Sequence, residues 1–350
     1  MRLASGTWEN RAWAVMEALT DFLVRMVAQF QSATLGFLIG GMVIAALGSR
    51  LQIPNAIYQF IVFMLLMAIG LEGGMEIREA DLADMLIPAL SAVAIGLFAV
   101  LLGAVTLARL PGIKTDDALA TAGLFGAVSS STLAAGMVLL DEEDIPFEAW
   151  VPALYPFMDI PALVLAIVLA GLAAAKKTGE KASSTAIWPI VKETLQGPAL
   201  TALLLGIALG LFTRPERVVE SFYDPLFRGL LSVLMLILGM EAYSRLAELR
   251  RVAHWYIVYA IAAPLVHGLI GFGLGYVAHV ATGFSPGGVI LLAVIAASNS
   301  DISGPPTLRA GIPTANPSAF IGSSTGIGTP VAIAIGIPLY IALAELVFGL

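Results

Sequence analysis

The chain has 350 residues, of which 59% are apolar and only 12% charged, about half the charged share of an average soluble domain. Its net charge of −7 argues against nucleic acid as a partner, and the absence of cysteine excludes disulfides, thiol catalysis and thiolate metal sites. Its histidines, His254, His267 and His279, are too few and too scattered for a zinc site.

Residues 1–30 mix Trp8, Trp13, Phe22 and Met26 with charges every few positions, which predicts an amphipathic helix lying in a membrane interface. Arg11, Glu17, Asp21 and Arg25 interrupt the apolar stretch that a secretory signal needs, so none is read here. Ten apolar segments follow, near 33–48, 55–72, 85–108, 117–139, 150–175, 197–213, 226–242, 253–280, 286–311 and 317–347. Spans of this length cross a bilayer as helices. The expected fold is an all-α polytopic membrane protein with ten transmembrane segments.

The chain also repeats itself, as 31–175 and 196–350. Adding 169 carries Gly70 to Gly239, Glu72 to Glu241, Ala127 to Ala296, Ser129 to Ser298, Ser131 to Ser300 and Pro161 to Pro330. Gly41 meets Gly206 at a slightly shorter offset. The serine matches carry the most weight, because both fall at polar interruptions of apolar segments. Each repeat holds five segments, and an odd number sets the copies in opposite orientations, the inverted-repeat plan of secondary transporters.

Lys and Arg set the orientation. Placing Lys176, Lys177, Lys181 and Lys192 inside together with Arg245, Arg250 and Arg251 also puts Arg50, Arg109, Lys114 and Arg309 there, eleven of the 18 basic residues. Both termini then lie outside, as does the acidic loop Asp141 to Asp144. The polar linker 176–195 reads either as a plain tether or as a docking site for a cytoplasmic regulator.

Two interruptions carry the chemistry. In the first repeat, Ala127 and Val128 lead into Ser129, Ser130, Ser131 and Thr132, four consecutive hydroxyls inside an apolar segment. They are N-cap candidates for a half-helix over about 132–140. In the second, Ser298, Asn299, Ser300, Asp301 and Ser303 precede Gly304, Pro305 and Pro306, where proline forbids an unbroken helix. Such breaks at membrane depth are tolerated only inside protein or around a cavity, and an ionisable group there is a functional site by default. Inverted symmetry makes the two broken helices cross near the midplane with their N-termini facing. Free N–H groups at 130–133 and 302–304 then attract an anion. The candidate anion contacts are Ala127, Val128, Ser129, Ser130, Ser131, Thr132, Ser303 and Gly304; with no Lys or Arg at either break, the anion is expected to be monovalent. Asp301, with Ser298, Asn299, Ser300, Ser129 and Ser131, supplies the oxygen ligands that Na+ prefers, so a coupling Na+ beside the anion is expected. The simpler role for Asp301 is a helix cap, and for the serines back-bonding and close packing.

Elsewhere, Asp159 between Pro156 and Pro161 reads as a kink partner or a cavity lining. Glu72 and Glu241 read as interfacial or intersubunit, His267 as a hydrogen-bonded packing residue, and Arg309 as facing the cytoplasmic mouth. The run 322–328 (GSSTGIG) reads as a close-packing face or a cavity wall.

The stretches LFGAVS (124–129), YPFMDIPAL (155–163), FYDPLFRGL (222–230) and SDISGPPTLRAG (300–311) resemble the cyanobacterial sodium-dependent bicarbonate transporters of the SbtA family, from about residue 22 to the C-terminus. The resemblance implies a high-affinity Na+/bicarbonate symporter of the carbon-concentrating mechanism in the cell's inner (plasma) membrane. It also implies a homotrimer in which a core (segments 3–5 and 8–10) moves against a gate (1–2 and 6–7), and a PII-like trimeric regulator that binds adenine nucleotides at the cytoplasmic face. The loop between the repeats is shorter than expected for that family, and the N-terminal stretch is longer. Read from spacing alone, other small monovalent anions and Na+/H+ exchange at Asp301 stay open. An intramembrane aspartyl protease built on Asp159 and Asp301 would need two carboxylates sharing a proton, and no Gly-x-Gly-Asp stretch occurs, so no enzymatic activity is read.

Overall fold

The computed structural model describes residues 33–79, 82–178, 192, 195–249, 254–301 and 304–350. The amphipathic helix expected over 1–30, most of the linker, Arg250, Arg251 and the candidate Ser303 lie outside the described residues.

The described chain is helical throughout. The elements are α1 (Ala33–Ala46), α2 (Asn55–Glu79), α3 (Leu82–Leu107), α4 (Thr115–Gly126), α5 (Ser130–Glu142), α6 (Tyr155–Thr178), α7 (Pro198–Phe212), α8 (Asp224–Leu249), α9 (His254–Thr282), α10 (Pro286–Ala297), α11 (Gly304–Gly311), α12 (Pro317–Ser323) and α13 (Ile337–Phe348). A 3-10 turn, Val151–Leu154, leads into α6, and a π turn, Val219–Tyr223, leads into α8. Two more π turns, Ser324–Gly328 and Ala332–Gly336, interrupt the path from α12 to α13. Among the described residues, 7 stretches are long and apolar enough to cross a membrane, and Leu35–Ala46, Thr201–Phe212 and Pro286–Ala297 are shorter apolar helices. Each apolar segment read from the sequence overlaps one of these, the ninth, 286–311, only over Pro286–Ala297. This is a multi-pass membrane protein.

Glycine decides which helices pair. α1 packs on α8 and α2 on α7. A Cβ on Gly41 would stand 2.2 Å from the Leu236 carbonyl oxygen, one on Gly70 2.5 Å from that of Leu203, and one on Gly74 2.2 Å from that of Ile207. Their partners Gly239, Gly206 and Gly210 are equally tight against the first set. Backbones therefore touch directly, the way small residues drive association where lipid is as apolar as leucine.

α3, α4 and α6 form a second group, joined to α9, α10 and the last segment. Two polar clasps tie the outer ends of the broken segments. Asp117, near the start of α4, accepts the Asn316 N–H at 2.7 Å, while Glu148 accepts the N–H and hydroxyl of Ser285 at 2.8 and 2.7 Å. Ser285 caps α10 and Asn316 caps α12, so each clasp anchors one half-helix start to the loop entering a segment of the other half of the chain. The stretch Asp117–Leu140 is buried in protein throughout, as are Gly287–Ala297. Burial is the condition under which interrupted helices survive at membrane depth.

Candidate functional site

α4 ends at Gly126 because the next residues leave helical space: Ala127 and Ser129 are extended, at φ −96°, ψ 166° and φ −101°, ψ 121°. Gly126 itself is required by crowding, since a Cβ there would meet the Val100 side chain at 2.6 Å. Ser129 restarts the helix as N-cap, accepting the Thr132 N–H at 3.2 Å. α5 accordingly runs Ser130–Glu142, beginning two residues earlier than the expected 132. The second break opens at Ser298, also extended (φ −69°, ψ 168°), and α11 begins at Gly304. Pro305 and Pro306 stand in its first turn, where a missing N–H costs nothing.

The two breaks touch. The Ser129 N–H donates to Ser298 Oγ at 3.0 Å, and the Ser300 N–H donates to the Leu124 carbonyl at 2.9 Å. Ser131 Oγ donates to Asp301 Oδ2 in a short hydrogen bond, and Ser129 Oγ lies 3.2 Å from Ser131 Oγ. Ser129, Ser131 and Ser298, all buried, thus form with the half-buried Asp301 one hydroxyl–carboxylate group joining halves of the chain 170 positions apart. Among the described residues, no three His, Asp or Glu side chains gather as a metal site. A cation here would rely on one carboxylate plus hydroxyl and carbonyl oxygens, a donor set that fits Na+ and not a transition metal.

Some expected anion donors are already engaged. The Val128 N–H meets Asp159 Oδ1 at 2.9 Å and the Val128 carbonyl accepts Tyr155 OH at 3.2 Å. The Gly304 N–H meets Ser300 Oγ at 2.8 Å. Others have no partner among the described residues: Ser130 Oγ, Thr132 Oγ1 and Asp159 Oδ2 are buried without a hydrogen bond there. Buried polar atoms are nearly always satisfied. Two unmet hydroxyls in the first turn of one helix, beside backbone N–H groups that have no intrahelical partner, mark a place for an acceptor-rich ligand.

Asn299 engages the last segment. The hydroxyls of Ser324 and Thr329 lie 2.7 and 2.9 Å from its amide oxygen position. The opposite amide orientation also pairs it, with Thr329 N at 3.2 Å and Ser324 O at 3.1 Å. Ser324 Oγ reaches the Ser300 carbonyl as well, at 3.3 Å.

Sequence reasoning missed this clasp, which makes the GSSTGIG run part of the site's support, and it missed Tyr155 altogether. The signal was a cluster of hydroxyls among glycines on a segment that needs no polarity. Asp159 does satisfy backbone, but that of the first break rather than of its own kink. His267, expected to be a hydrogen-bonded packing residue, is buried and faces the Phe125 backbone as a hydrogen-bond partner. Glu72 lines a cavity with Asp141, Asp224 and Arg228, and Arg309 is exposed in the last turn of α11.

The profile of a family described as the Na+-dependent bicarbonate transporter superfamily matches residues 33–345. No protein with a curated description matches the chain.

Proposed function

Because the chain belongs to the Na+-dependent bicarbonate transporter superfamily, we propose that it is a sodium-driven, high-affinity bicarbonate symporter working at the crossing of the two breaks. The observation that carries this reading is the Ser131–Asp301 hydrogen bond, which couples the capping region of α5 to the carboxylate of the second break. Na+ held by Asp301, Ser129, Ser131 and Ser298, with carbonyls of Asn299 and Ser300, neutralises the aspartate. Bicarbonate then sits beside it on Ser130, Thr132 and the first N–H groups of α5, close to the start of α11. Without Na+ the anion would meet a bare carboxylate, and without the anion the cation would lack part of its shell. That mutual dependence is the physical basis of coupling.

Transport follows if α3–α6 and α9–α13, the core, shift against α1, α2, α7 and α8, the gate. The proposal takes the chain as ten spans in two inverted repeats, with both termini on the outer face of the cell's inner membrane. A homotrimer, a PII-like nucleotide-binding regulator at the cytoplasmic face and a role in carbon concentration belong to the same reading. The family match and the residue pairs at offset 169 support it.

The test is uptake of labelled bicarbonate into proteoliposomes with and without an inward Na+ gradient. Uptake that requires the gradient, and Na+ uptake that requires bicarbonate, support symport. Na+ movement indifferent to bicarbonate but driven by a pH gradient would instead indicate Na+/H+ exchange.

A further inference from the structure

A groove of about 370 Å3 runs between the end of α3 and the first half of α9. Thr106 lines it from α3 and Leu110 from just past its end, with Trp255, Val258, Tyr259 and His267 from α9. Trp255, Val258 and Val266 are exposed along its mouth, so in a multi-pass protein the groove opens toward lipid, with Trp255 in the position of an interfacial aromatic. Its volume falls in the range of small-molecule pockets, about 300–1,000 Å3.

Two groups in the groove are out of keeping with an apolar wall. Among the described residues the Tyr259 hydroxyl is buried without a hydrogen-bond partner, and His267, 1% exposed, has only the Phe125 backbone for its two ring nitrogens, which leaves one of them unmet. The Thr106 hydroxyl, by contrast, is satisfied by the Leu102 carbonyl at 2.7 Å. Gly103 makes room for the tyrosine: a Cβ there would lie 2.5 Å from the Tyr259 oxygen. Neutral histidine and tyrosine can each give one hydrogen bond and accept one, and groups buried unmet in this way are costly to keep. No charged side chain lines the groove, so a carboxylate or phosphate entering it would be buried without a counter-charge.

We propose that this groove is a binding site for a neutral, membrane-dissolved molecule bearing one hydroxyl or carbonyl oxygen, which Tyr259 and His267 hold while its apolar body lies along Val258 and Val266. The site is distinct from the ion crossing and needs neither Na+ nor bicarbonate, yet it borders it. The Phe125 ring meets Tyr259 edge-on at 5.1 Å and 74°. Phe125 also packs at Gly328, where a Cβ would stand 2.8 Å from both its ring and the Asn299 amide. An occupant that steadies Tyr259 therefore steadies the last turn of α4, directly before the first break.

The test uses the full chain in phosphatidylcholine nanodiscs with a diazirine-bearing long-chain alcohol, and the matching hydrocarbon as control, adducts being mapped by mass spectrometry. The alcohol should label 102–110 and 255–266 saturably, and the hydrocarbon should not. Tyr259→Phe, which keeps the ring, should weaken the alcohol's apparent affinity about fivefold, the worth of one ordinary hydrogen bond. Ala262→Trp, built on an exposed groove residue, should abolish the labelling without changing the melting temperature. Equal, non-saturating labelling by alcohol and hydrocarbon would overturn the proposal, as would saturable labelling that both variants leave unchanged.

Discussion

The Ser129 N–H donates to the hydroxyl of Ser298 at 3.0 Å, across 169 positions of sequence. That separation equals the offset at which the two halves of the chain match. Under the proposed repeat relation these residues are symmetry mates, and a residue that touches its own mate must lie on the axis relating the copies. The glycine contacts follow the same rule at a distance from the axis. Gly41 packs on Gly239 and Gly70 on Gly206, and the repeat relation exchanges one pair for the other. Asp301 stands beside this axis without an acidic mate, because the matching position, Thr132, carries no charge. Under that relation the scaffold would set one unmatched carboxylate at the crossing, which suits one cation beside one anion.

Asp301→Asn removes that charge while keeping an oxygen that Ser131 can donate to. Na+-driven bicarbonate uptake should fall to background, and the detergent-solubilised protein should keep its elution volume and melting temperature. Uptake that persists at the wild-type rate would reject Asp301 as the sodium ligand.

Ser129 and Ser130 adjoin in sequence but should respond with opposite signs. Ser129→Ala loses the cap on the Thr132 N–H and should cost about 1 kcal/mol of stability. Ser130→Ala and Thr132→Val delete hydroxyls that have no partner among the described residues. Removing an unmet buried polar group is neutral or stabilising, so both variants should melt at or above the wild-type temperature while their KM for bicarbonate rises. Thermal unfolding paired with uptake kinetics separates the two behaviours, and a stability loss at Ser130 would mean that its hydroxyl serves the fold.

The breaks were legible in the sequence because they violate a strong local expectation. A hydroxyl run at Ser129–Thr132 and a carboxylate before two prolines have no place in an apolar span unless the helix stops there. The segments themselves were legible from their length. What could not be read are contacts that depend on how segments meet in space. Asp159 reaches Val128 across 31 positions and Asn299 reaches Thr329 across 30, and neither spacing has a helical or repeat period to announce it. The π turns at Ser324–Gly328 and Ala332–Gly336 are equally silent, since each adds one residue to a turn without changing composition.

Glycine positions that look alike in sequence should separate cleanly on mutation. Gly70→Ala drives a methyl to 2.5 Å from the Leu203 carbonyl oxygen, forcing α2 from α7, and should cost about 1–3 kcal/mol. Gly36→Ala places its methyl where nothing lies within 4 Å and should gain a few tenths of a kcal/mol to about 1 kcal/mol through helix propensity. Melting temperatures of the two variants in the same detergent check this. Equal effects would mean that the α2–α7 contact does not hold the helices together.

The last prediction concerns the link between the two helical groups. Arg228, near the start of α8, pairs with Asp141 at the end of α5, with the side chains 62% and 61% exposed. An ion pair this open contributes only about 0.2–1 kcal/mol to stability, so Asp141→Asn and Arg228→Gln should hardly move the melting temperature. The pair nonetheless bridges a half-helix of the binding site to the opposing group, and it must part if the two groups shift. Breaking it should therefore change the maximal uptake rate with little change in KM, and the double exchange Asp141→Arg with Arg228→Asp should return the rate toward wild type. A change in KM alone would assign the pair to ion binding. No change in either constant would mean that α5 and α8 keep their relative position through the transport cycle.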